Sequence, residues 1–356
     1  MNKAGIFLFL NALFLSFLGI FILYESSTYS ALLAIGDKYY FVKNQLIWLI
    51  LGVVACLLIS KIEFKKYYNI ALPLLLSSLF LLVLVFVPGL GVKLKGAYRW
   101  INLGFTVFQP SEILKITLTI YLAAWLSIKE KGRALAFLML VSLSVLLVII
   151  EPDMGTAVVI GATATIVYFL SGAAYRDLVF ILLLMLVGVL VLIKLEPYRM
   201  ARLSSYQNLD HKDLTTASYH VKQILIALGS GGFSGVGFGN SIQKYAYLPE
   251  STTDSIFALF SEEAGFIGST IVILMFGALS TLGFLVALRA PDLFGKLLAA
   301  GIVSFISIQA FINIASQVVL IPLTGIPLPF ISYGGSSLII NFVSIGILMN
   351  IAKRRK

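Results

Sequence analysis

Apolar runs long enough to cross a lipid bilayer recur along almost the whole chain, which commits it to a membrane as a bundle of helices. A span takes roughly 20 apolar residues, fewer where the segment is half buried in protein. About ten runs meet that measure, near residues 5–24, 44–60, 69–88, 110–127, 134–150, 155–172, 177–195, 255–288, 297–321 and 331–352. The eighth is long enough to hold a helical extension on its loop side or a strong tilt. The expected fold is therefore all-α: a polytopic membrane protein with about ten transmembrane helices. A large extracytoplasmic loop, about residues 196–254, separates helices seven and eight. No internal repeat and no low-complexity linker divides the chain, so residues 1–356 read as one membrane domain.

Composition agrees. Charged residues make up 12% of the chain and hydrophobic ones 60%, with a mean hydropathy of +1.01; a soluble domain carries about 25% charged residues. Cys56, the one cysteine, lies in an apolar run and excludes an intramolecular disulfide. His211 and His220 have no cysteine partners and no zinc-site spacing, and read as solvated loop histidines. The net charge of +10 fits basic cytoplasmic loops, and with no basic stripe interleaved with aromatics, nucleic acid is not an expected partner. The first run is of spanning length and lacks a small-residue cleavage site, so it reads as an uncleaved first helix.

The positive-inside rule sets the expected orientation. With the amino terminus cytoplasmic, Lys3, Lys61, Lys65, Lys66, Lys129, Lys131, Arg133, Arg176, Arg289, Lys296 and the Lys353–Lys356 tail fall on the inside, and an even number of spans returns the carboxyl terminus there. One outer loop runs against this grain with Lys93, Lys95 and Arg99. Either these bases meet an anionic ligand or they are solvated loop residues.

The unusual polar residues gather on the outer side. Glu112 and Lys115 lie three apart, on one helical face, where Pro110 suits a first helical turn and Ser111 can cap it. The pair is either part of a working site or a structural ion pair. Arg99, beside Trp100, is either a phosphate ligand or an interfacial anchor. In Glu151-Pro152-Asp153-Met154-Gly155-Thr156, Asp153 and Thr156 can cap the next helix. Residues 229–239 are rich in glycine but lack the strand and lysine of a phosphate loop; glycines there let backbone amides approach an anion or form tight turns. Three prolines and three glycines within residues 321–337 imply irregular backbone, tolerated where it lines a cavity or is buried in protein. Asp254 stands at the head of the eighth apolar run, among Glu250, Glu262 and Glu263. It is either a helix cap or a base held ionised by the helix terminus, while Glu262 and Glu263, about 12 Å deeper at ~1.5 Å rise per residue, are too far away to share its chemistry.

Taken together, Gly96-Ala97-x-Arg99-Trp100-Ile101, Gln109-Pro110-Ser111-Glu112-x-x-Lys115, Glu151-Pro152-Asp153-x-Gly155-Thr156, Leu248-Pro249-Glu250-x-x-x-Asp254 and Pro327-x-Pro329-x-x-Ser332-Tyr333-Gly334-Gly335-Ser336-Ser337 resemble the SEDS family (shape, elongation, division and sporulation). The resemblance implies a peptidoglycan glycosyltransferase using lipid II in the inner (plasma) membrane of a bacterial cell, both termini cytoplasmic. It implies a class B penicillin-binding protein as transpeptidase partner, along with other divisome or elongasome membrane proteins. It makes Asp254 the essential loop aspartate, Glu112 and Lys115 the paired polar residues of the fourth span, and Arg99 and Asp153 further outer-face positions. Where the family commonly has His-Thr-Asp-Phe, this chain has Thr252-Thr253-Asp254-Ser255, so no role passes from that histidine. Tyr198-Arg199-x-x-Arg202, Gln243-Lys244-x-x-Tyr247-Leu248 and Gly36-Asp37-x-x-Tyr40-Phe41 resemble the cell-division branch more than the rod-shape elongation branch.

On that basis Asp254 is the expected catalytic base. Arg99 and Lys244 are expected to offset charge on a departing pyrophosphate, with Lys95 or a divalent cation (Mg or Mn) as further candidates. The competing expectations are a flippase for the same lipid and a noncatalytic scaffold.

Overall fold

The computed structural model describes residues 3–354 except 95, 105, 129, 131, 196, 208–215 and 246. Its helices are α1 (Lys3–Ile35), α2 (Tyr40–Ile59), α3 (Lys66–Leu84), α4 (Pro110–Leu126), α5 (Ala134–Ile150), α6 (Met154–Leu170), α7 (Tyr175–Leu195), α8 (Pro197–Gln207), α9 (Thr216–Gly231), α10 (Ile256–Leu288), α11 (Leu293–Gln317) and α12 (Gly335–Lys353). Each of the ten apolar runs became one helix, and α8 and α9 lie in the long loop. Seven of the ten are long and apolar enough to cross a membrane by length and composition. The other three, α4, α5 and α6, have 17 residues each, about the shortest length that spans.

Outward faces are apolar, as lipid requires. On α1, Phe7, Leu10, Phe14, Phe17 and Phe21 are exposed at helical spacing. The centre of the bundle is made by α11 and α12, which are buried over most of their length. α12 packs on α2 and α1, and α11 on α10, α6 and α4. Gly346 of α12 lets the two backbones touch, since a Cβ there would stand 2.6 Å from the Cys56 carbonyl oxygen of α2.

Two features depart from the helical expectation. The connection between α3 and α4 folds into a small antiparallel sheet, β1 (Gly91–Leu94), β2 (Ala97–Asn102) and β3 (Val107–Phe108) in that order, with a register irregularity between Val92 and Lys93. The second is in α10, which is broken at Gly265, where φ is 65° and ψ −164°. The glycine-rich segment closes the gap. Amides of Val236 and Gly237 donate to the carbonyls of Glu262 and Glu263 at 3.0 and 3.1 Å, and those of Phe266 and Ile267 donate to Gly232 and Phe233 at 3.0 and 3.2 Å. A Cβ on Gly235 would lie 2.0 Å from the Glu263 carbonyl oxygen. These glycines bring backbone against backbone, which a broken helix inside a membrane needs; no anion is involved in that role.

At one end of the bundle polar residues pair locally. Asn350 accepts from the Phe64 amide at 2.9 Å and donates to Ser60, and Arg354 pairs with Glu63. The other end, where α1 meets α2, α3 meets α4, α5 meets α6 and α11 meets α12, carries the long loop and most of the unusual residues.

Candidate active site

Residues 318–334 run as irregular backbone between α11 and α12, and side chains from the surrounding helices satisfy their backbone groups. Gln45 of α2 donates to the Ser332 carbonyl at 3.1 Å and accepts from the Gly334 amide at 3.3 Å. Asn313 donates to Ile326 at 2.7 Å and Gln309 to Pro327 at 2.9 Å. Buried amide side chains thus hold this segment rigid inside the bundle.

The Asp254 loop is clamped to it. Tyr333 donates its amide to the Thr252 carbonyl at 3.0 Å, Ser332 its hydroxyl to Thr253 at 2.6 Å, and Asn313 a second bond to Asp254 at 2.9 Å. The two motifs most distinctive in sequence therefore form one structure. α10 begins at Ile256 with Ser255 at its N-cap position, so Asp254 stands one residue before it. The Asp254 carboxylate is half-buried and shares a point with the Arg202 guanidinium. A Cβ on Gly325 would be 3.5 Å from both Asp254 Oδ2 and Arg202 Nη1. Gly325 has φ +76°, a conformation other residues adopt at a cost. Arg202, on α8, also donates to Leu323 at 2.8 Å. In sequence it stood out only in the branch motif, because nothing local in a loop helix reveals a partner fifty positions away.

His220 corrects the reading of a solvated loop histidine. Its Nε2 lies 2.7 Å from Ser255 Oγ. Burial, and then the charge of Arg202, pull its pKa down to about 4 against the opposing pull of Glu250. His211 lies outside the described residues.

Glu112 and Lys115 form a buried ion pair at 2.9 Å, their side chains 3% and 1% exposed. Lys115 also donates to Gln309 Oε1 at 2.6 Å, which joins the pair to Pro327 through Gln309. Pro110 takes the first turn of α4 as expected, but the N-cap is Gln109, and Ser111 is buried without a capping bond. Asp153 does cap α6. It accepts from the Thr156 amide at 3.1 Å and hydroxyl at 2.8 Å, and from Gln109 Nε2 at 3.1 Å.

Arg99 donates from Nε to the Glu151 carbonyl at 2.9 Å and from Nη2 to the Pro152 carbonyl, tying β2 to the α5–α6 turn. The Glu151 carboxyl beneath is fully buried, with neither oxygen bonded among the described residues. Burial, then the nearby Asp153, push its pKa up to about 9, with Arg99 opposing. Lys244 lies in a separate cluster. It contacts Glu25 of α1 at 3.2 Å, the Gly239 carbonyl at 2.6 Å and Glu263 at 3.8 Å, so its charge is engaged away from Asp254. Lys95 lies outside the described residues.

Among the described residues no three Asp, Glu, His or Cys side chains converge as a metal cage would need, and Asp254 Oδ2 instead has the Arg202 guanidinium beside it. An all-protein metal cage is therefore not built among the described residues, and no step below runs through a metal.

A bundle of spanning helices, with a carboxylate and a guanidinium held at one mouth over a rigid proline–glycine segment, defines a polytopic membrane protein with a polar site at the bundle end. The model of the FtsW, RodA and SpoVE cell cycle proteins matches residues 6–356, and the chain belongs to that family. It is 38% identical over 358 residues to stage V sporulation protein E of Bacillus subtilis, covering 99% of this chain and 98% of that one. It is also 38% identical to the probable peptidoglycan glycosyltransferase FtsW of Geobacter sulfurreducens, covering 100% of this chain and 96% of the relative. The rod shape determining protein RodA of Thermus thermophilus superposes with a TM-score of 0.73 at 26% identity, over 100% of this chain and 98% of that one. A chain from a study of polymerization and crosslinking by a peptidoglycan synthase complex superposes with a TM-score of 0.78 at 26% identity, over 97% and 96%.

Proposed function

We propose that the protein is a peptidoglycan glycosyltransferase that polymerises lipid II at the outer face of a bacterial plasma membrane, with Asp254 as general base. The observation that carries this is the half-buried Asp254 carboxylate, outside the helix cap and held on three backbone contacts beside Arg202. Asp254 Oδ2 takes the proton of the acceptor's GlcNAc 4-hydroxyl as that oxygen bonds to the anomeric carbon of the donor MurNAc. The bond from that carbon to the pyrophosphate oxygen breaks, and polyprenyl pyrophosphate leaves with its electron pair. The α-linked donor gives a β-linked product, and Asp254 returns its proton to water.

Cations at the mouth would neutralise the leaving group. Arg202 lies beside Asp254, and Arg99, with two nitrogens on backbone carbonyls, keeps further N–H donors of its five. The rigid segment, fixed through Gln309, Asn313 and Gln45, keeps the acceptor's position relative to the base. In this reading Glu112, Lys115 and Asp153 position the substrate-binding wall, and Lys244 holds α1 against the break in α10.

The name of the FtsW relative, a probable peptidoglycan glycosyltransferase, supports this reading and a place in division; the sporulation relative at the same identity and the RodA neighbour support the same activity in other settings. A class B penicillin-binding protein is the proposed partner, supported by the synthase-complex neighbour. A lipid II flippase is the second reading, favoured by the ion pair buried within the bundle. Purified protein with its transpeptidase and lipid II should yield glycan polymer, and Asp254→Asn and Asp254→Ala should yield none while inserting normally. Wild-type polymer from both variants would overturn the assignment. Lipid transport in proteoliposomes without polymer would establish the flippase.

A further inference from the structure

Ser255 heads α10 but does not cap it: its hydroxyl makes no bond to the first-turn amides, the usual task of a serine there. The oxygen lies instead 2.7 Å from Nε2 of His220, which reaches in from α9. Ser255 is fully buried and directly follows Asp254. Whatever fixes its side chain therefore also fixes the backbone that presents the Asp254 carboxylate. Asn313, Ser332 and Tyr333, from α11 and the segment that follows it, anchor this loop on one side, and the Glu250 carbonyl accepts from the Thr253 and Ser255 amides at 3.0 Å within the turn itself. His220 adds an anchor from α9, in the long loop.

We infer that His220 is a positioning residue for Asp254, holding the start of α10 through the Ser255 hydroxyl so that the carboxylate stays beside Arg202. The inference rests on Asp254 being the base. Charged groups facing the imidazole are Arg202 on α8 and Glu250 in the turn before α10. Burial, and then the charge of Arg202, keep the ring neutral at physiological pH, which leaves the positive charge at the site to the guanidinium. A neutral imidazole has one N–H and one lone pair, so it serves Ser255 as a directed hydrogen-bond partner rather than as a second cation.

The test compares four forms in the polymerisation assay with the transpeptidase present: His220→Leu, Ser255→Ala, the double variant and His220→Gln. Each single loss should lower kcat by about tenfold with KM within about twofold, as removal of an interaction that matters in the transition state does. The double variant should be no worse than the worse single one, because both cut the same link. His220→Gln keeps a polar nitrogen at similar reach and should return kcat to within about threefold of wild type. Backbone amide exchange across residues 253–257 is read alongside and should quicken in the Leu and Ala forms but not in the Gln form. Equal kcat for His220→Leu and wild type, equal loss in the Gln and Leu forms, or multiplicative loss in the double variant would overturn the inference. An inactive wild type, or an active Asp254→Asn, would instead overturn the proposed function; amide exchange would then still decide whether His220 orders the loop.

Discussion

Lys115 on α4 donates to the side-chain oxygen of Gln309 on α11 at 2.6 Å, and so couples a buried ion pair to the segment that supports the Asp254 loop. Two opposite charges withdrawn from water hold each other only while both are present. Lys115→Met should therefore strand the Glu112 carboxylate and cost about 3–5 kcal/mol. The Glu112→Gln/Lys115→Met double variant, which removes both charges, should recover most of that. Thermal unfolding in detergent micelles measures both. Equal midpoints for the single and double variants would show that the pair carries no such energy.

The spans and several helix-start residues were legible in the sequence because each is a local signal. The fifth span was placed at 134–150 and is Ala134–Ile150; Pro110 and Asp153 took the helix-start positions their chemistry suits. What stayed hidden depends on distant pairing. The break at Gly265 has no hydropathy signature, since glycine interrupts an apolar run without changing its polarity, and its repair comes from residues 232–237. Lys244 looked like a free outer-face cation, yet Glu25, 219 positions away, engages it. Arg202 and His220 sit on loop helices whose sequences give no sign that both turn toward Asp254. The eighth run was placed at 255–288 and its helix begins at Ile256, so the position of Asp254 next to the helix start left capping and catalysis both open in the sequence.

The break in α10 gives a sharp contrast among glycines. A Cβ on Gly235 would meet the Glu263 carbonyl at 2.0 Å, whereas Gly229, also in this stretch, has nothing within 4 Å. Gly235→Ala should prevent stable insertion, because the two backbones would have to part and the hydrogen bonds that bridge the break would be lost. Gly229→Ala lies inside α9 and should be neutral or stabilising by up to about 1 kcal/mol. Folded yield from membranes after detergent extraction distinguishes them; similar yields would refute the backbone-contact role.

Gly325 separates stability from activity. Alanine there meets only ordinary contacts at 3.5 Å, but must adopt φ near +76°, at a cost of about 1–2 kcal/mol. The added methyl stands at the point shared by Asp254 Oδ2 and Arg202 Nη1. Gly325→Ala should insert and purify with a slightly lower melting temperature, yet lose polymerisation by about tenfold or more, equivalent to ~1.4 kcal/mol in the barrier. Unchanged turnover would mean that the carboxylate and guanidinium do not act together.

Glu151 gives stability a dependence on pH with a definite sign. Its carboxyl sits in the turn between α5 and α6, fully buried, with a pKa of about 9 in place of an ordinary 4.5. Below the ordinary value, folded and unfolded chains both hold the proton and nothing is lost. Between the two values only the folded chain holds it, so unfolding releases a proton and stability falls steadily as pH rises; above about 9 both are ionised and the slope ends. Glu151→Gln keeps the shape of the neutral acid and cannot ionise. Wild type and variant should therefore melt at similar temperatures near pH 4.5, with the variant gaining ground as pH rises and ahead by a few kcal/mol near pH 8. His220, held neutral down to about pH 4, imposes the opposite slope below its ordinary 6.5 in both proteins, so it cancels in the comparison. Melting curves of the two proteins across this range decide the matter: a constant difference would mean that the Glu151 carboxyl is ionised in the fold, with a counter-charge holding it.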